Sequence, residues 1–364
     1  MNRVFQLGYS LNLAGTETVF MNWYRNIDRS QLQFDFGVLE KFNTPISKEI
    51  ESLGGKIFVI PRGEGIINRL KFLFRLYKTL KQNGPYIAFQ SHDHWLGGLT
   101  CMAACFAGIP KRITISHFND GAKKIKLLDY PKRAIARLFI RLFSTKRLAV
   151  SKEAGETLYG KYLPFTIIKN GIDLTKFSYN IEKRNEMRRK LKIENKLVIG
   201  NIGRFTEQKN HTFLIDIFAE IYKQNKNSVL ILLGVGPLEN KIRRKVKKLN
   251  LESVIYFEGV RNNVEDYYQM FDAFVFPSLF EGVGIVALEA QATGSPCFMS
   301  DAIPQEAFVC NAKVIPLDIS PTQWALEIVN LLQNYIRKDE AETLRKAGFD
   351  MKRIGKQIER VYLL

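Results

Sequence analysis

The chain is poor in cysteine, and the few it has point away from secreted or metal-stapled architectures. Its four cysteines, Cys101, Cys105, Cys297 and Cys310, sit in apolar surroundings and in no metal-ligand spacing. Reduced core thiols are expected, not a disulfide framework. Long apolar runs are also missing: no stretch of roughly 18 such residues occurs, so no spanning helix is expected. The opening residues MNRVFQLGYSLNLAG lack the basic region, apolar stretch and cleavage site of a secretory leader. The expectation is a cytoplasmic chain. Asp-x-Asp, a pairing that holds divalent metal against phosphate, is absent from all 364 residues. Histidine is scarce too. His92 and His94 form a His-x-His pair without a clear third ligand, a poor zinc signature, while His117 and His211 stand apart. Neither a metal nor a cofactor is expected.

Negative charge is the scarcer sign. Lys and Arg number 54 against 36 Asp and Glu, a net charge of +18. Residues 1–180 hold 27 basic and 13 acidic side chains, a balance of +14, and the remainder only +4. Two stretches concentrate the excess, Arg69 to Gln82 and Lys123 to Arg147, each mixing Lys and Arg with Leu, Ile and Phe at helical spacing. Such a composition fits a helix lying on an anionic membrane surface. The competing reading is a surface helix with a solvated charged face, and for Arg69 to Gln82 it is the stronger one. No nucleic-acid-binding motif accompanies the charge, so nucleic acid is not an expected partner.

A chain of this length, 46% hydrophobic, exceeds one comfortable core and predicts two domains. In the first half, short β-rich runs (Val4 to Leu7, Phe34 to Leu39, Lys56 to Ile60, Tyr86 to Gln90, Arg112 to Ser116, Arg147 to Val150, Phe165 to Ile168) alternate with helical patterns. The second half repeats this with Leu197 to Ile202, Val229 to Leu233, Val254 to Phe257, Ala273 to Phe276, Pro296 to Ser300 and Lys313 to Ile315. Alternation at this spacing implies parallel sheets covered on both faces. The expected class is α/β: two doubly wound, Rossmann-like domains, 1–175 and 176–345, facing each other across a cleft, with a helix over 346–364 returning to the first. Ligands in such folds sit outside the carboxyl ends of the strands, so the loops after strands are where function is sought.

The most informative loop lies within FPSLFEGVGIVALEAQATGSP, residues 276–296. A strand breaks at Pro277, a Gly-bearing loop follows, and an Ala/Leu/Glu helix runs to Gly294. The helix start offers free backbone N–H groups to an anion, through Gly282, Val283, Gly284 and Ile285. Glu281 and Glu289 frame it. A carboxylate beside phosphate-binding amides needs another partner, and sugar hydroxyls suit it. After Leu197 to Ile202 comes Gly203-Arg204, with Lys209 further on, two cations able to clamp a diphosphate. Gly234 follows the next strand and fits close nucleotide approach and a plain tight turn equally well. Val260 lies where main-chain groups could hold a base. In the first half, Gly15 at a helix start can bring the backbone near a phosphate, and His117, just after Arg112 to Ser116, is placed to meet a sugar.

These loops, in this order, resemble family 4 of the retaining glycosyltransferases, which have the GT-B fold. The likeness is carried by Ala14-Gly15-Thr16-Glu17, Ser116-His117-Phe118-Asn119, Val150-Ser151, Asn170-Gly171-Ile172-Asp173, Gly203-Arg204 with Lys209, Gly234 to Leu238, Phe276-Pro277-Ser278, and Glu281 with Glu289-Ala290-Gln291-Ala292-Thr293-Gly294. It is closest to members that build bacterial capsular and exopolysaccharides. The resemblance implies that Arg204 and Lys209 hold the donor diphosphate, Glu281 the transferred sugar and Glu289 the ribose. It also implies that His117 touches the sugar near the reacting carbon. One departure is Ala14-Gly15 where many relatives have Gly-Gly. The expected activity is metal-independent, retaining transfer of a hexosyl or N-acetylhexosaminyl group from a nucleotide-diphosphate sugar, a UDP-sugar, to a lipid-linked glycan at the inner face of the membrane. A catalytically inactive glycan- or partner-binding subunit of the same fold is the alternative, and a glycosidase, which also uses two carboxylates, has no use for a diphosphate clamp.

Overall fold

The computed structural model describes residues 1–8, 11, 15–40, 44–117 and 129–364; for 15–18 and 129 it describes the backbone alone. It divides into two compact units, Met1–Gly171 with Met351–Leu364, and Ile172–Asp350. Among the described residues the first holds seven strands: β1 (Asn2–Leu7), β2 (Leu32–Val38), β3 (Ile57–Val59), β4 (Ala88–Ser91), β5 (Lys111–Ser116), β6 (Lys146–Ala149) and β7 (Thr166–Ile167). All pair in parallel, in the order β3-β2-β1-β4-β5-β6-β7. The order reverses between β1 and β4, the switch point at which open α/β sheets leave a crevice.

The second unit repeats the design with β8 (Leu197–Ile202), β9 (Ser228–Leu233), β10 (Ile255–Gly259), β11 (Ala273–Phe276), β12 (Cys297–Ser300) and β13 (Ala312–Ile315), ordered β10-β9-β8-β11-β12-β13. Its switch point therefore falls between β8 and β11, so the loops after these two strands emerge side by side. β9 and β11, SVLILL and AFVF, are buried at every position, as strands covered on both faces must be.

The helix Met351–Leu363 shows why the tail returns to the first unit. Ile354, Ile358, Val361 and Tyr362 form one apolar stripe and are all buried. It crosses the Gly15–Asn26 helix at Gly355, where an added Cβ would lie 2.3 Å from the Asn26 carbonyl oxygen. Lys111 Nζ caps it, donating to the Tyr362 carbonyl at 2.8 Å. At full burial each large apolar side chain in this stripe contributes about 1.5–3 kcal/mol.

The basic stretches form helices. Arg69 to Gln82 lies within the Ile66–Asn83 helix, and the describable part of Lys123 to Arg147 contains the Asp129–Phe143 helix; Lys123, Lys124 and Lys126 lie outside the described residues. Among the described residues no helix is long and apolar enough to cross a membrane.

Candidate active site

In the second unit the loops after β8 and β11 are stitched together. Leu279 N–H donates to the Gln208 carbonyl at 2.8 Å, and Gln208 Nε2 donates to the Phe280 carbonyl at 3.0 Å. Lys209 ends a short 3-10 turn, Glu207–Lys209, and Asn210 follows in the left-handed conformation before the His211–Gln224 helix. This turn lays the Lys209 side chain over the Phe276 ring, 4.6 Å from its centroid, and brings Nζ to 2.7 Å from Glu281 Oε1. Both side chains are largely buried, at 16% and 7% exposure, so the pair is shielded from solvent screening. Arg204, on the same loop, is exposed and makes no ion pair among the described residues.

Gly203 packs on the Lys209 stem, with an added Cβ 3.4 Å from Cδ. Gly234 has φ +127, and a Cβ there would sit 2.2 Å from the Gly203 carbonyl oxygen. The β9 loop rests directly on the β8 loop, and this close approach accounts for the glycine. Gly284, at φ +67, precedes the Ile285–Ala292 helix, whose first turn no side chain caps. Its leading amides remain available to an anion. Val283 is buried, Gly282 half-buried, and Val260, after β10, is 55% exposed.

Glu289 lies within that helix, partly buried, and its Oε2 accepts from the Tyr268 hydroxyl at 2.9 Å. Tyr268 O–H also reaches the Val286 carbonyl at 3.0 Å. Burial pushes Glu289 up to about 7; the Tyr268 donor pulls the other way, and the charge of Glu265 adds to the rise. Burial likewise drives the Tyr268 phenol well above its ordinary value, so it remains a donor.

In the first unit, Gly15 opens the helix that follows β1, His92 follows β4 and His117 follows β5. The loop residues Asn12, Leu13 and Ala14, and Phe118 and Asn119, lie outside the described residues. His92 Nδ1 and His117 Nε2 are 2.8 Å apart and both rings are buried. Burial pushes His117 down to about 3 and His92 well below its ordinary value, so both are neutral. No group of three His, Cys, Asp or Glu side chains among the described residues is placed to hold a metal ion.

The structure thus gathers Lys209, Glu281, Gly203 and Gly284 at one switch point, leaves Arg204 projecting beside them, and sets Glu289 on a separate partner. His117 and Gly15 belong to the other unit. Sequence reasoning did not find Tyr268, the Phe276 ring beneath Lys209, or the hydrogen bond joining His92 to His117. His-x-His pointed at His92 but suggested a metal, and the partner is another histidine.

Two family models divide the chain between them: Glycosyltransferase Family 4 matches residues 14–176 and Glycosyl transferases group 1 matches residues 183–351. A relative in Bacillus subtilis (strain 168), EpsF, described as a glycosyltransferase, is 33% identical over 357 residues, 96% of this chain and 93% of the relative. The chain belongs to glycosyltransferase family 4. An Escherichia coli relative of this glycosyltransferase, named UDP-Gal:alpha-D-GlcNAc-diphosphoundecaprenol alpha-1,3-galactosyltransferase, is 28% identical over 82% of this chain and 79% of its own. The crystal structure of Anabaena HepE in complex with UDP and glucose superposes on the glycosyltransferase with a TM-score of 0.82 at 17% identity, covering all of both chains. That likeness shows a shared fold, GT-B.

Proposed function

We propose that this glycosyltransferase is retaining and metal-independent, and that it moves a sugar from a UDP-sugar to a growing lipid-linked glycan during synthesis of a bacterial surface polysaccharide. One observation carries the reading: the Lys209–Glu281 pair at the carboxyl ends of β8 and β11, beside the uncapped start of the Ile285–Ala292 helix. Cation, carboxylate and free amides at one switch point match the three parts of a sugar diphosphate. The diphosphate takes Lys209 and Arg204, the sugar hydroxyls take Glu281, and the amides of Gly282 to Ile285 serve the phosphate and sugar. Glu289 accepts from the ribose hydroxyls. The relatives agree in kind, since the Escherichia coli protein is named for a UDP-sugar and a lipid diphosphate acceptor.

In the reaction the bond from the anomeric carbon to the diphosphate oxygen breaks, and its electron pair stays on that oxygen. The acceptor hydroxyl attacks from the same face and passes its proton to the departing phosphate. Arg204, Lys209 and the helix amides offset the charge that develops on the leaving group. The basic surface of residues 1–180 holds the protein at the inner face of the cell membrane, where a lipid-linked acceptor resides.

The test is to screen the purified protein against UDP-, GDP- and ADP-sugars by thermal shift, then assay nucleotide release with a chelator present. Acceptor-dependent release from a UDP-sugar, with the anomeric configuration preserved in the product, is expected. Release that needs no acceptor would indicate hydrolysis. Donor binding without turnover on any acceptor would leave a binding subunit.

A further inference from the structure

Beneath His117 runs a chain of buried polar groups that the reaction scheme does not use. Tyr362, on the C-terminal helix, points its hydroxyl into the first unit and donates to Gln90 Oε1 at 2.6 Å, while the Tyr362 hydroxyl oxygen accepts from Gln6 Nε2 at 2.9 Å. Gln6 lies on β1 and Gln90 on β4, the two strands at the switch point. Both amides then meet His92 Nε2: Gln6 Oε1 at 3.0 Å and Gln90 Nε2 at 3.3 Å. His92 Nδ1 contacts His117 Nε2 at 2.8 Å, and His117 Nδ1 is buried without a hydrogen-bond partner among the described residues. Gln6 and Gln90 are fully buried, as are His92 and Tyr362. A polar chain of this length inside a core is costly unless each member is satisfied, and among the described residues His117 Nδ1 has no partner while Gln90 Nε2 meets only His92 Nε2.

We infer that Tyr362, Gln6, Gln90 and His92 form a relay that sets the tautomer of His117, leaving its Nδ1 as a bare acceptor for a hydroxyl of the bound sugar. Proton counting carries it. His92 Nε2 meets partners of opposite sense, the Gln6 carbonyl oxygen, an acceptor, at 3.0 Å and the Gln90 amide nitrogen, a donor, at 3.3 Å; the shorter contact places the proton on Nε2. A neutral imidazole has one N–H, so His92 Nδ1 is a lone pair. The 2.8 Å contact then takes its proton from His117 Nε2, and His117 Nδ1 is left as a lone pair. The rings meet edge to edge: centroids 5.0 Å apart and planes inclined by only 11°, with the nitrogens closer than stacked rings allow, which is hydrogen-bond geometry. Phe20 and Trp23 enclose His92 at 5.6 and 6.2 Å between centroids, preventing the ring from turning to water. His92 is a positioning residue, and an unpartnered buried acceptor on His117 rewards a sugar that offers O–H and penalises one that does not.

The proposal rests on the reading that His117 meets the sugar, and two measurements separate them. Long-range 15N–1H correlation spectra of the intact, histidine-labelled chain report tautomers without requiring any variant to fold. Both His92 and His117 are expected as Nε2–H forms, and an Nδ1–H signal for either overturns the relay whatever the enzyme's activity. Kinetics with the best donor and its monodeoxy analogues test the contact. One analogue is expected to lose about ten- to hundredfold in kcat/KM on the wild type and to show no such loss on His117→Phe. Equal discrimination by both proteins would remove the sugar contact and leave the tautomer result standing. His92→Asn, whose Oδ1 can replace the Nδ1 acceptor, is expected to keep that discrimination, and His92→Phe to lose it. If the two variants behave alike, His92 does not position His117.

Discussion

Lys209 and Glu281 neutralise each other at 2.7 Å, and on the proposed reading a donor replaces each partner, with the diphosphate on Lys209 and the sugar hydroxyls on Glu281. Removing the lysine therefore has two consequences: the diphosphate loses a cation, and Glu281 is left largely buried without its counter-charge. Lys209→Ala is expected to lower kcat/KM by about a hundred- to a thousandfold, the range for deleting one preorganised group that stabilises developing negative charge. Steady-state kinetics check this. Arg204 is exposed, so its deletion should leave folding intact while slowing turnover. A fall in turnover of less than about threefold, under ~0.7 kcal/mol, would refute the clamp. Glu289 gives a prediction in pH. The proposed role, accepting ribose hydroxyls, needs the carboxylate, and burial raises the group to about 7, so donor affinity is expected to fall as pH drops through 7. Between pH 8 and pH 6 the loss is about tenfold for a group of this pKa. The sign for stability is the same kind of proton count. The folded state holds this proton more tightly than the unfolded one, so the contribution of Glu289 to stability declines as pH rises from the ordinary glutamate range to about 7 and then levels off. A nucleotide sugar is the right probe, because its diphosphate is esterified at both ends and does not titrate in this window. Titration calorimetry across the range should show the slope in wild type and none in Glu289→Gln.

The loops that make the site depend on how one element lies on another. Gly234 and Gly259 both have positive φ, +127 and +65, but only Gly234 lies under another chain segment, while nothing stands within 4 Å of a Cβ added to Gly259. Gly259→Ala should cost only the backbone strain, about 1 kcal/mol. Gly234→Ala must also displace the Gly203 carbonyl, and a loss of about 3 kcal/mol or more is expected, with the donor site disturbed through Gly203. Denaturant midpoints of the two variants test the contrast, and equal losses would show that the packing is soft. At this same scale the sequence was most readable. Among the described residues each of the thirteen strands overlaps a β-rich run recognised in advance; the central strands are plainest because burial on both faces makes them continuous and apolar, as SVLILL and AFVF are, whereas edge strand β7, exposed at both residues, was legible only from the alternation. The position of the site loops followed from that alternation. What the sequence could not reveal was contact at long range. Tyr362 meets Gln6 across 356 positions and Lys209 meets Glu281 across 72, and neither spacing leaves a periodic signal. Tyr268 was hidden for a different reason, because among aromatic core residues one tyrosine that donates to a glutamate reads like any other.

For the whole molecule the lopsided charge acquires a shape. The Arg69 to Gln82 stretch, which its sequence favours as an ordinary solvated helix, belongs to a helix exposing Ile66, Ile67, Leu70 and Phe74 at 62% to 77%. Spacings of one, four and eight residues put all four on one face, with exposed Arg69, Lys71 and Lys78 beside them. The Asp129–Phe143 helix exposes Ile135, Leu138 and Leu142, again on one face, with exposed Lys132 and Arg141. Apolar side chains flanked by cations gain from both the interior and the charge of an anionic bilayer, at about 1 kcal/mol per basic residue near the surface. Association with vesicles rich in anionic phospholipid is therefore expected at low salt and should be largely lost at about 1 M, where the Debye length falls to roughly 3 Å. Salt dependence alone cannot distinguish adsorption by charge from seating of an apolar face. Replacing Leu70 and Phe74 by Ser leaves every charge in place, so if that face enters the bilayer, flotation should weaken even at low salt, and Leu138→Ser with Leu142→Ser should weaken it through the second helix. Unchanged flotation in both double variants would mean that charge alone holds the protein there, and absence of flotation in the wild type would remove the membrane from the proposal.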